Sequence, residues 1–263
     1  MKILFVGTPG AFSLPPLQAL LQSEHTIAAV VVPPDSANIS GDIIPLLPPH
    51  ANHTIITLAQ SLNIPVIPPR DAPETDAIVV ACFPRRLSAN FLSRARRAAL
   101  NIHPSWLPQY RGPAPVFWQL RDGVTAPGVT VHRMTAELDA GNIVAQSCVQ
   151  LPAGASGPQI DQLLAGAGAQ LLQTALTGGE LTGSPQPPGG SYQSWPQADD
   201  WTIPCGWRAE RAFNFMRGTE EWDRPYRVQT NAGEIHARRA LRMTLGPAKP
   251  GRVEKMHSGW TID

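Results

Sequence analysis

Lysine is almost missing from this chain of 263 residues: three lysines stand beside eighteen arginines, and no Lys or Arg lies between Lys2 and Arg70. That leaves residues 3–69 without a Lys or Arg side chain to grip phosphate. Cysteine is also scarce. Cys82, Cys148 and Cys205 form an odd set with no metal-type spacing, which excludes a disulfide framework and a zinc site and suggests free thiols in a reducing compartment. No apolar run approaches the ~20 residues needed to span a bilayer. The opening Ile3–Val6 run is cut by Gly7 and Pro9, too short for a signal-peptide core. The expectation is a soluble, cytoplasmic protein with no membrane partner. Motif absences exclude more. Gly7-Thr8-Pro9-Gly10 is neither a dinucleotide fingerprint nor a P-loop, no serine sits in a G-x-S-x-G elbow, and there is no H-E-x-x-H or Cys/His cluster, so no metal is expected.

A net charge of +1 and 43% hydrophobic residues exclude disorder and a strongly basic surface overall. From Cys205 to Asp263, nine arginines and two lysines against seven acids leave a local excess of four positive charges, a mild asymmetry. Prolines number twenty-eight and fall mostly in loop-like segments.

Apolar runs alternate with helical patterns along the first ~150 residues, which predicts an α/β fold with a Rossmann-like parallel sheet. Strands are expected at Lys2–Gly7, Thr26–Val32, Pro65–Ile67, Asp76–Cys82, Ala99–Ile102, Gly128–Met134 and Ile143–Gln150. Helices are expected at Leu14–Gln22 with Ser13 as N-cap, Thr54–Leu62, Ser88–Arg97, Pro115–Leu120 and Ser156–Leu176, the last weakened by three glycines. Residues 1–178 read as a catalytic domain and 179–204, rich in Gly, Pro, Ser and Gln, as a linker. Residues 205–263 read as a small β-rich C-terminal domain, with a helix at Gly206–Phe215 and short strands from Tyr226 to Val253.

Two polar stretches follow or adjoin predicted strands, where α/β sheets bind ligands. The first is Asn101-Ile102-His103-Pro104-Ser105-Trp106-Leu107-Pro108-Gln109-Tyr110-Arg111-Gly112; the second runs from Val129 to Ile143 and contains Asp139. Amide, imidazole and carboxylate together are the equipment for acyl transfer to an amine. Asn101 can donate to an oxyanion. His103, two residues on along an extended segment, points to the same side and can carry a proton or positive charge. Asp139 can raise the histidine's pKa or take the amine's proton, and the roles of His103 and Asp139 are interchangeable at this level. Each residue alone also fits an ordinary turn or loop. Ser105 as a hydrolase nucleophile has no supporting elbow. His132, inside a strand pattern, reads as structural. The Arg85-Arg86 pair suits an anionic ligand and equally a solvated helix start.

The segments Asn101 to Pro108, Tyr110-Arg111-Gly112-Pro113-Ala114-Pro115, Gly128 to His132 and Glu137-Leu138-Asp139-Ala140-Gly141 resemble the folate-dependent formyltransferase family. The likeness is to its methionyl-tRNA formyltransferase and sugar-amine N-formyltransferase branches, with a faint match at Arg211–Asn214 in the tail. The resemblance implies 10-formyltetrahydrofolate as donor and Asn101, His103 and Asp139 as the catalytic trio. It implies a folate pocket at Phe83, Pro84, Arg85, Arg86 and Leu87 and at Ser105, Trp106, Leu107 and Pro108. Trp106 stands where the family commonly has leucine. Members acting on tRNA carry a basic loop after the second strand. Here Pro33 to His50 holds Asp35 and Asp42 and no Lys or Arg, and the tail is about half the length expected of a tRNA-binding domain. Arg238 and Arg239, adjacent on an expected strand, would face opposite ways. The expected acceptor is therefore a small-molecule primary amine, of an amino sugar or amino acid derivative, with tRNA the disfavoured partner and the alternative reading. A non-catalytic or hydrolytic member is the remaining alternative. Intact Asn101, His103 and Asp139 speak against the first, and a chain starting at strand one, without an amino-terminal regulatory domain, against the second.

Overall fold

The computed structural model describes residues 1–34, 54–179 and 181–243, and the backbone of 253–256 and 259–262. Most of the Pro33–His50 stretch, from residue 35 on, lies outside the described residues.

The first strands are short and built from β-branched and apolar residues. In chain order the elements are β1 (Lys2–Gly7), α1 (Leu14–Leu21), β2 (Thr26–Val31), α2 (Ile55–Ser61), β3 (Val66–Ile67), β4 (Thr75–Ala81), α3 (Ala89–Leu92), β5 (Ala95–His103), α4 (Pro115–Arg121), β6 (Gly128–Arg133), β7 (Ile143–Cys148) and α5 (Gly157–Gly178). They form a seven-stranded sheet in the order β3-β2-β1-β4-β5-β6-β7. The strands from β3 to β5 pair in parallel, whereas β6 runs antiparallel to β5, and β7 to β6. The predicted Rossmann-like sheet is thus mostly parallel, with an antiparallel edge.

Side-chain alternation sorts the sheet into two buried faces. Ile3, Phe5, Val79, Leu100, Ile102, Val129 and Val131 pack with α1 and α5. Leu4, Val6, Ile78, Val80 and Ala99 face the other way, against Phe91 of α3 and Phe83 and Leu87. One glycine in α5 has a packing reason: a Cβ on Gly168 would overlap the Ile102 side chain, so its absence lets helix and sheet approach. The helix stops at Gly179, in the left-handed conformation (φ 70°).

Two local readings change. Ser13 sits at the N-cap of α1, but its hydroxyl accepts from Thr8 N–H at 3.0 Å and donates to the Ala81 carbonyl at 2.7 Å, tying β1's turn to β4. The Ser88–Arg97 helix is only one turn long, because Ala95 already pairs with Thr75 as β5 begins. The cross-strand ladder outweighs the propensity of the Arg/Ala run.

The connecting segment docks closely. Its end forms β8 (Thr202–Ile203), parallel to β9 (Tyr226–Thr230), which pairs antiparallel with β10 (Gly233–Ala237); α6 (Ala209–Gly218) lies between. Backbone strands β11 (Val253–Met256) and β12 (Gly259–Ile262) form a separate hairpin. Trp201, Ile203, Phe215, Tyr226 and Val228 are buried in the same cluster as Phe117 of α4 and Ile160 of α5. All three cysteines are free.

Candidate active site

β5 and β6 are neighbours, and their register sets Asn101 opposite His132 and His103 opposite Thr130. Directly opposed residues share a face. Four polar side chains therefore continue the row of Ala99 and stand on the sheet face that carries the 83–87 loop. Asp139 reaches them from the loop between β6 and β7. His103, Thr130, His132 and Asp139 are all buried.

Hydrogen-bond roles follow from the partners. The Tyr110 carbonyl can only accept, so His103 Nε2 carries a proton and donates to it at 2.9 Å. His103 Nδ1 lies 3.7 Å from Asp139 Oδ1, close enough to pair as an ion and too far for a direct hydrogen bond. His132 Nδ1 donates to the Arg133 carbonyl at 2.8 Å. The His132 ring, pushed down to about 4 by burial and then by neighbouring His103, stays neutral near pH 7. Its Nε2 therefore accepts, and the partner at 3.1 Å is the Asn101 amide nitrogen. This fixes which way the Asn101 amide faces and leaves its second N–H for another acceptor. The Asp139 carboxylate takes the Gly112 backbone N–H at 2.9 Å on Oδ2, and Asp139 itself is in the left-handed region (φ 52°). Tyr110 shares that conformation (φ 57°). Positive φ at non-glycine residues is uncommon, and here two such residues, Tyr110 and Asp139, lie on the two loops that meet at His103.

The residues expected around the folate separate into two groups. Phe83, Arg85, Arg86 and Leu87 line a cleft of about 670 Å³ beyond the ends of β2, β3 and β4, and Arg70 stands at its wall. Its volume suits a drug-sized ligand, and an apolar interior with arginines suits an aromatic molecule bearing carboxylates. Pro84 connects these residues, and Arg86 donates to the Ala136 carbonyl at 2.7 Å, bracing this loop against the one that carries Asp139. Ser105, Trp106, Leu107 and Pro108 do not line that cleft. Thr130 holds them over β6 by donating to the Ser105 carbonyl at 2.6 Å and accepting from Leu107 N–H at 3.2 Å. Ser105 donates its hydroxyl to the Gln109 carbonyl at 2.7 Å, Leu107 is buried, and Trp106 is 45% exposed. Among the described residues no cluster of three His, Cys, Asp or Glu could hold a metal ion, and no helix is long and apolar enough to cross a membrane.

His132, read from the sequence as structural, contacts Asn101 and lies 3.7 Å from Asp139 Oδ1, so it belongs to the same polar cluster. The signal was available: Thr130 and His132 alternate with Val129 and Val131 in a strand whose apolar half is buried. Sequence reasoning missed Gln186 of the connecting segment, which no local pattern marks. One consequence is measurable. The folded His132 binds a proton near pH 4 and the unfolded one near 6.5. Between those values the unfolded chain holds more protons, so its contribution to stability is complete above about 6.5 and is lost as pH falls towards 4. Urea titrations at pH 7 and 4.5 should show a smaller acid loss for His132→Gln than for wild type; an equal loss would contradict the assignment.

Fold and site together are those of a group-transfer enzyme built on an α/β sheet. Comparison with known proteins gives the family. The formyl transferase profile matches residues 1–176. The methionyl-tRNA formyltransferase of Acidobacterium capsulatum is 31% identical over 280 residues, covering 98% of this chain and 86% of the relative. That of Moorella thermoacetica is 32% identical over 245 residues, covering 88% and 76%. Among solved structures, a 4-N formyltransferase from Francisella tularensis superposes with a TM-score of 0.62 at 16% identity, over 92% of this chain and 98% of that one. HypX from Aquifex aeolicus, solved with tetrahydrofolic acid, gives 0.62 at 16% identity, over 99% of this chain and 43% of that one. At such identities the structures speak for the fold alone. The chain belongs to the folate-dependent formyltransferase family.

Proposed function

We propose that this enzyme moves the formyl group of 10-formyltetrahydrofolate to the amine of methionyl-tRNA. The observation that carries the acceptor is the span of the relatives: the Acidobacterium capsulatum methionyl-tRNA formyltransferase aligns with 98% of this chain, through the tail as well as the sheet domain. This moves the balance away from the small-molecule acceptor expected from charge. Part of that expectation also rested on Arg238 and Arg239 alternating on a strand, whereas β10 ends at Ala237. In the described part of the tail Arg208, Arg224, Arg238, Arg239 and Arg242 are exposed, Arg238 beside Asp223 at 3.5 Å, and would be candidate contacts for a phosphate backbone. In this reading residues 1–178 carry the chemistry, 179–204 connect, and 205–263 contribute acceptor contacts.

The donor supplies the formyl carbon, and the cleft beside Phe83, Arg85, Arg86 and Leu87 would hold its ring system and carboxylates, with Ser105 to Pro108 forming the opposite wall of the reaction space. Asn101 Nδ2 gives its free N–H to the formyl oxygen as negative charge builds there. His103 Nδ1 takes the proton of the attacking amine, because its Nε2 proton is committed to Tyr110. Asp139 stabilises the imidazolium so formed, and His103 returns the proton to the departing nitrogen. Amine N–C bond formation and donor C–N bond cleavage then balance with no net proton change.

A second reading, a small-molecule primary amine acceptor, is favoured by the absence of Lys and Arg from Pro33 to His50. Filter binding and formylation of charged initiator methionyl-tRNA decide between them. Sub-micromolar, salt-sensitive binding with N-formylmethionine as product is the expected result. No product, alongside a newly formylated small amine in a metabolite extract, would favour the second reading.

A further inference from the structure

The two catalytic loops are held together from outside the sheet, by the connecting segment. Tyr110 N–H donates to Ser191 Oγ at 2.9 Å, Arg111 N–H to the Ser191 carbonyl at 2.9 Å, and Gln193 N–H to the Arg111 carbonyl at 2.8 Å. Contact is close enough that a Cβ on Gly112 would overlap the Gln193 carbonyl, and one on Gly190 the Pro108 carbonyl. Within this strap Gln186 is saturated. Its Nε2 donates to the Asp139 carbonyl at 2.7 Å and to the Gly141 carbonyl at 2.9 Å. Its Oε1 accepts from Arg111 Nη2 at 2.7 Å and Nε at 3.1 Å. Carbonyls only accept and a guanidinium only donates, so the amide can face one way alone.

These bonds close a ring around Asp139. The Gly112 backbone N–H holds its carboxylate, and the adjacent Arg111 side chain, acting through Gln186, holds its backbone carbonyl. Asp139 sits in the left-handed region (φ 52°), and the carboxylate and carbonyl bonds on either side hold it there. Pro185, Pro187 and Pro188 flank Gln186 and restrict its backbone, so presenting the amide costs little further entropy.

We propose that Gln186 is a positioning residue for formyl transfer: strapped by Arg111, its amide fixes the Asp139 backbone and so the distance of the Asp139 carboxylate from His103. The inference rests on the reading of Asn101, His103 and Asp139 as the catalytic trio. Gln186 touches neither substrate, and its action is through Asp139. A displacement of about 1 Å at a reacting group can cost ~10²-fold in rate. Gln186→Ala should therefore lower kcat by ~10- to ~10²-fold while KM for the donor stays within about twofold, since the folate cleft lies elsewhere. Gln186→Glu, of the same size, should do no better than alanine. It keeps Arg111 but turns an oxygen towards two carbonyls.

The test is a double-mutant cycle with Asp139→Asn, which also separates positioning from general destabilisation. Transfer is followed from 10-formyltetrahydrofolate to methionyl-tRNA and, independently of acceptor recognition, to hydroxylamine as a bare nucleophile, with melting temperatures measured alongside. In the Asp139→Asn background, Gln186→Ala should produce no further loss of kcat. Losses that multiply, wild-type kcat in Gln186→Ala, or full activity in Gln186→Glu would each overturn the inference. Full activity of Asp139→Asn itself would instead overturn the trio, so the two failures are distinguishable.

Discussion

Alanine at His103 is expected to lower kcat/KM by at least ~10²-fold, and alanine at Asn101 by a similar factor. The two losses have different origins. His103→Ala removes the atom that in the proposed mechanism would accept the amine's proton, and with it the positive charge that Asp139 would stabilise, while Tyr110's carbonyl loses its donor at 2.9 Å. Asn101→Ala removes the N–H that in the proposed mechanism would meet the formyl oxygen, and leaves His132 Nε2 without its partner at 3.1 Å. Neither residue lines the cleft beside Phe83 to Leu87, so the dissociation constant of an unreactive folate analogue, measured by equilibrium dialysis, should stay near that of wild type. A Gln at His103 should not restore activity, because an amide cannot cycle a proton. If both alanine variants turned over the acceptor at wild-type rates, the catalytic assignment would be wrong.

What the sequence disclosed of this site was its local part. Asn101 and His103 are two residues apart on one strand, so period-2 geometry alone puts them side by side. Asp139 was legible as a lone carboxylate in a turn before Gly141, but its approach to His103 depends on β6 running antiparallel to β5, which no local pattern encodes. The same register brings His132 to Asn101. The alternation of Thr130 and His132 with Val129 and Val131 put His132 on the polar face, but its contact with Asn101 was not legible, because that partner lies thirty-one positions away in sequence. Gln186 is further still from legibility, because its environment of Pro and Gly reads as a connector, and only the docked structure shows both of its amide ends engaged. The fold was easier: buried apolar runs of β1, β2 and β4 between helical patterns predicted the sheet. Errors fell at boundaries. The Arg-rich stretch before Ala98 could be helix by propensity, and strand pairing with Thr75 and Ala77 decided otherwise.

The tail supplies the second large effect. Phe117, in α4 of the sheet domain, is 1% exposed, and its ring meets Trp118 at 5.2 Å, Trp201 at 5.0 Å, Phe215 at 5.3 Å and Trp222 at 5.5 Å between centroids. Three of those four partners belong to the last sixty-odd residues or the segment leading to them, so one ring joins the two parts of the chain. Phe117→Ala should destabilise the protein by about 3–5 kcal/mol, a large share of the ~5–15 kcal/mol that holds a typical domain folded. The melting temperature should drop by about 10 °C. The form of the transition matters as much as its midpoint. If the tail's aromatic cluster and the sheet share one core, wild type and variant each unfold in a single step, and calorimetric and van't Hoff enthalpies agree. A folded sheet domain that melts at an unchanged temperature, with only an early transition of the tail shifted, would show instead that 205–263 is a separately folding unit resting on α4.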